Sequence, residues 1–87
     1  MKTGKKPKVK TNYELLLDVF NLLNNITEFK VIINHTNEDI YIYKKTFSIY
    51  DIRLINVILN NYFKKGLLYC IGYDHNINEI YMQLWFA

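Results

Sequence analysis

The sequence predicts an α+β fold, in which two tandem helix-hairpin (αββ-αββ) units form a four-stranded antiparallel sheet with both helices on one face. Three observations predict it. Thr11-Asn-Tyr-Glu14 and Ser48-Ile-Tyr-Asp51 each place a hydroxyl residue three before a carboxylate at the mouth of a helix-period run, which is the spacing of a capping box or its Asp variant. Phe29 to Ile42 and Tyr69 to Met82 each alternate apolar residues around a short polar turn, the two-residue period of a half-buried strand. The two stretches also match each other at an offset of forty, with His35 on His75, Ile40 on Ile80 and Tyr41 on Tyr81. The rival explanation for those identities is coincidence in a chain rich in Ile, Asn and Tyr.

Residues Met1 to Lys10 carry Lys2, Lys5, Lys6, Lys8 and Lys10 with Gly4 and Pro7 and little to bury, so they read as a flexible basic tail. The single α+β domain runs from 11 to 87, with pseudo-repeats 11–47 and 48–87. From Asn12 to about Ile26, Leu15, Leu16, Val19, Phe20, Leu22, Leu23 and Ile26 make a broad apolar stripe, predicting the first helix. Glu28 to Asn34 and Ile40 to Lys45 follow as a hairpin around His35-Thr-Asn-Glu-Asp39, residues that bond their own backbone and tolerate tight turns. Pairing Ile33 with Ile40 puts Val31 opposite Ile42.

Ser48 opens a second helix running to about Lys65, with Ile52, Ile55, Ile58, Leu59 and Tyr62 at helical spacing. Lys64 and Lys65 suit the negative helix end, and Gly66 suits the left-handed residue that closes it. Leu67 to Tyr73 and Glu79 to Phe86 form the second hairpin, with Tyr73 opposite Ile80 and Ile71, Tyr69 and Leu67 opposite Met82, Leu84 and Phe86.

Composition narrows the function classes. In 87 residues, 51% of them hydrophobic, there is material for one core at the small end of domain sizes. The single Cys70 permits no internal disulfide and, inside an apolar strand, is expected to be a buried, inert thiol. No apolar run approaches a spanning length of ~18 residues, and no apolar segment follows the basic terminus as in a signal peptide; a cytoplasmic protein is expected, nuclear if its source is eukaryotic or infects a eukaryote. Lys outnumbers Arg ten to one, and Ile, Asn, Lys and Tyr supply 41 of 87 residues, a bias expected of an AT-rich phage, virus or bacterial genome. The formal charge is +3, but from Thr11 onward six Lys and Arg face eight Asp and Glu. The basicity is therefore confined to the tail, which suits contact with a polyanion; Lys5-Lys-Pro-Lys-Val-Lys10 also resembles a nuclear-import signal.

By alternation the sheet face turned away from the helices carries Lys30, Ile32, Tyr41, Tyr43, Cys70, Gly72, Tyr81, Gln83 and Trp85. A solvated face favours charged residues and threonine, whereas aromatics with polar tips are enriched at interfaces. Three readings compete. The face is covered within the molecule or by a homodimer. Alternatively it stacks single-stranded nucleic acid on Tyr41, Tyr43, Tyr81 and Trp85, with Lys5, Lys6, Lys8, Lys10, Lys30, Lys44 and Lys45 near phosphates. Or it binds a protein, as a small phage-encoded anti-defence inhibitor would. Nucleic acid is expected first, through a non-enzymatic module without cofactor.

Catalytic patterns are lacking. His35 and His75 sit in turns without further ligands at metal spacing, Ser48 is a helix cap, and glycines at 4, 66 and 72 make no phosphate loop. Tyr62-Phe-Lys-Lys-Gly-Leu-Leu68, ending a helix and entering a hairpin, resembles the recognition helix and wing of winged helix-turn-helix domains over residues 48–86. That resemblance implies Asp51, Arg53 and Asn56 in the major groove. The helix-hairpin order is also similar to that of homing endonucleases built on a paired-helix motif; their acidic helix end is replaced here by Leu22-Leu-Asn-Asn25, so nuclease activity is not implied.

Overall fold

The computed structural model describes residues 9–87. Lys5, Lys6 and Lys8, with most of the expected tail, lie outside the described residues. Helix α1 spans Asn12–Ile26, strands β1 and β2 span Lys30–Asn34 and Asp39–Lys44, helix α2 spans Ile49–Lys64, and strands β3 and β4 span Leu67–Asp74 and Glu79–Phe86. The strands form one antiparallel sheet in the order β1-β2-β4-β3. The segment before α2 is strand β2; a winged helix-turn-helix domain would need a helix there. Alternation of β-branched and aromatic residues through Ile40-Tyr-Ile-Tyr43 accounts for the strand.

Both helices begin with reciprocal capping boxes. Glu14 N donates to Thr11 Oγ1 at 3.2 Å while Thr11 N donates to Glu14 Oε1 at 2.9 Å, and Asp51 with Ser48 repeats the exchange at the same two distances. The ends differ. Thr27 closes α1, its N–H and hydroxyl both donating to the Leu23 carbonyl, at 3.0 and 2.6 Å. Helix α2 ends in Gly66 at φ 104°, a conformation that costs glycine little.

Asp51 also receives the Lys44 ammonium at 2.9 Å, which ties β2 to the start of α2. The Ser48 N–H first, and then this ammonium, hold the Asp51 carboxyl below its ordinary 3.8. A carboxylate depressed by folding stabilises the fold above its unfolded pKa, and that contribution disappears as pH falls through the folded value. Asp51→Ala is expected to cost about 1–2 kcal/mol near neutral pH. In urea unfolding at pH 7 and pH 3, the difference between wild type and variant should shrink at the lower pH.

Ten apolar residues form the core: Leu16, Val19 and Leu23 of α1, Ile55 and Leu59 of α2, and Ile40, Ile42, Leu67, Met82 and Leu84 of the strands. The strand registers bring these together, with Ile42 between Val31 and Met82, and Ile40 between Ile33 and Leu84. Adding forty to each number of the β1–β2 register reproduces that of β3–β4 over the residues they share. The turns agree as well, since Glu38 and Asn78 share positive φ values of 54° and 53°. The Asn34 and Asp74 side chains accept backbone N–H bonds from Thr36 and Asn76 in the same way.

Candidate functional site

Residues opposite one another in an antiparallel ladder share a face, so the registers set out the side of the sheet away from Ile40 and Ile42. Asp39 lies opposite Trp85, Tyr41 opposite Gln83, and Tyr43 opposite Tyr81 on the two central strands. Lys30 and Ile32 flank them from β1; Leu68, Cys70, Gly72 and Asp74 flank them from β3. Tyr41, Tyr43 and Tyr81 touch mutually, with centroid separations of 6.1, 5.7 and 6.1 Å, and they remain half-buried. Four of the expected site residues thus share this face with Lys30, whose Nζ lies 5.7 Å from the Tyr43 centroid.

Tyr81 lies across Gly72, and any Cβ built on that glycine would overlap the Tyr81 hydroxyl and ring. The glycine therefore lets the third ring lie down against the other two. Gly72→Ala is expected to lift Tyr81, cost about 1 kcal/mol, and alter the near-ultraviolet circular dichroism of the tyrosines.

The charges on this face differ from those expected. Lys44 is on the opposite side, held by Asp51 with its Nζ 5.2 Å from the Phe29 centroid, and Lys10 is held by Asp18. The tyrosines instead have carboxylates as neighbours. Burial first, and then the charge of Asp39, pushes the Tyr41 phenol above its ordinary 10.0; burial first, and then Asp74, does the same for Tyr43.

Asp39 is the residue that sequence reasoning placed in the turn. It begins β2 and is 5% exposed, the buried polar residue among those described. Its Oδ2 accepts from Gln83 Nε2 at 2.9 Å and from the Tyr41 hydroxyl at 3.4 Å, while its Oδ1 is buried with no hydrogen-bond partner. The available signal was alternation, because Asp39 stands two residues before Tyr41.

The buried thiol expected for Cys70 is not found. Cys70 is exposed, because it lies opposite Gln83 on the side away from the core and on a strand with one free edge; its thiol donates to Gln83 Oε1 at 3.4 Å. That edge strand is unusually apolar on both sides, with Leu68, Tyr69, Ile71 and Tyr73 all exposed, whereas edges are ordinarily blunted by charge or proline. The turn histidines differ from each other. His35 Nδ1 is 2.6 Å from the Tyr13 hydroxyl, while His75 meets the Tyr73 ring edge-on. Among the described residues, no group of three or more His, Cys, Asp or Glu is placed to hold a metal, and no helix is long and apolar enough to cross a membrane.

No family model matches this chain, and neither a curated protein nor a solved structure is significantly similar to it.

Proposed function

We propose that this chain is a small, non-enzymatic binding module that holds a protein partner on the sheet face of Tyr41, Tyr43, Tyr81 and Trp85. Both helices are taken to lie on the Ile40 and Leu84 side, leaving the tyrosine side for the partner. The chain is taken as two helix-hairpin units about a local two-fold axis through Ile42 and Met82, which pair with each other forty residues apart. The observation that carries the protein reading is the company the aromatics keep. Asp39, Asp74 and Glu79 stand on their face, with Lys30 as the strand lysine among them. Carboxylates repel a phosphate backbone, whereas aromatics beside polar and charged groups suit a protein interface.

Nucleic acid, the partner expected first from sequence, is the second reading. It is favoured by the five lysines of the first ten residues, which would meet phosphates while bases stack on the tyrosines.

One comparison separates the two. Wild type and Tyr81→Lys are used as baits against cell extract treated with nuclease, and both are titrated with single- and double-stranded oligonucleotides at two salt concentrations. The protein reading expects a partner captured by wild type and lost by the variant, whose circular dichroism is unchanged. Oligonucleotide binding that weakens steeply with salt and quenches Trp85 would instead establish the second reading. A concentration-dependent mass in sedimentation, abolished by Tyr81→Lys, would assign the face to a homodimer.

A further inference from the structure

A notch of about 430 Å³ opens at one end of the tyrosine face, lined by residues that include Glu38, Asp39, Gln83 and Trp85. Asp39 supplies a carboxylate that is only half used, since Oδ2 holds Gln83 and Tyr41 and Oδ1 holds nothing. A buried carboxylate oxygen without a donor is a costly arrangement that natural structures seldom keep without a use. Glu38 adds a second negative charge at the rim, and the Trp85 ring stands opposite Asp39 across the β2–β4 ladder.

The equivalent place in the other half of the chain is built differently. The β2–β4 ladder ends at the Lys44–Ile80 pair, with Lys45 next in the chain after β2 and Glu79 opening β4. Shifting by forty turns Glu79 into Asp39 and Lys45 into Trp85. The two halves thus differ in sequence at this place, a lysine standing forty residues before Trp85. The ion pairs of the described residues, Lys10 with Asp18 and Lys44 with Asp51, leave both Asp39 and Glu79 without a cation, but of the two only Asp39 is buried.

We infer that this notch takes the guanidinium of an arginine presented by the partner protein. A planar guanidinium can donate to a carboxylate and stack on an indole at once, which an ammonium does less well. Oδ1 is sealed in the unbound molecule, so entry requires the lining of the notch to shift, after which the guanidinium donates to Oδ1. The inference rests on the protein-binding reading of the face and names the group that the partner must supply.

The test uses the full chain and N-acetyl-L-arginine amide, with the neutral isostere N-acetyl-L-citrulline amide as control. Trp85 emission and the Gln83 side-chain amide resonances report on the notch. The expected result is a saturable change in both with arginine amide, with a midpoint on the order of millimolar for so small a ligand, and none with citrulline amide. Asp39→Asn should weaken the response about tenfold or more, while Glu28→Gln, at an exposed carboxylate that does not line the notch, should leave it as in wild type. An equal response to citrulline amide, no movement of the Gln83 resonances, or equal weakening by both substitutions would overturn the inference. If Asp39→Asn fails to fold, the comparison of arginine with citrulline on wild-type protein still decides. Failure of the wider reading is distinguishable: arginine amide would still bind while Tyr81→Lys left partner capture untouched.

Discussion

Ile42→Ala is expected to remove about 2–5 kcal/mol of stability. Ile42 is fully buried on one of the two central strands of the sheet. Across the sheet it lies between Val31 and Met82, and it belongs to the core that Leu16, Val19, Leu23, Ile55 and Leu59 of the helices share. Truncation therefore leaves a cavity bounded by both hairpins, and no single element can close it by shifting alone. A domain of this size has a total stability on the order of 4–13 kcal/mol, so the variant should lose a large part of its urea midpoint with an unchanged slope. Val57 is the control. It is 77% exposed on α2, and Val57→Ala should change stability by about 0.5 kcal/mol or less. Equal losses at the two positions would mean that the core is not centred on the Ile42–Met82 pair.

Much of the α+β arrangement was legible because local and long-range signals agree in this sequence. Thr11 with Glu14, and Ser48 with Asp51, mark helix starts by hydrogen-bonding chemistry that acts within one turn. The alternation on either side of each polar turn admits one register that keeps the apolar residues together, Ile33 with Ile40 and Tyr73 with Ile80. The strand order was not legible. It depends on β2 and β4 meeting at the centre, a contact between residues forty apart that no local pattern announces.

The face itself could be found by counting in twos, but its charges could not. Lys44 alternates to the core side and is taken by Asp51. Asp39 resembles a turn residue in type, although it occupies a strand position. Cys70 and its neighbours are exposed because β3 ends the sheet; a strand's own residues do not reveal whether another strand will lie beside it.

Asp39→Leu should move stability the other way, raising it by about 1–3 kcal/mol while abolishing the response to arginine amide. Leucine keeps the forked shape of aspartate and replaces an oxygen that has no donor with a methyl group that needs none. It also has a side chain better suited to a strand. The groups it deprives are Gln83 Nε2 and the Tyr41 hydroxyl. Both residues are only half-buried, so water can take the place of Oδ2 at little cost. The sign of the change is what matters. A carboxylate kept for the fold would be missed when removed, and the variant would unfold at lower urea. A carboxylate kept for a ligand leaves the unbound protein short of its best stability, the usual consequence of holding a polar group ready in a buried site. The two measurements are the urea midpoint and the arginine titration on the same sample. Gain in the first with loss in the second would mark Asp39 as a binding residue held at the expense of stability.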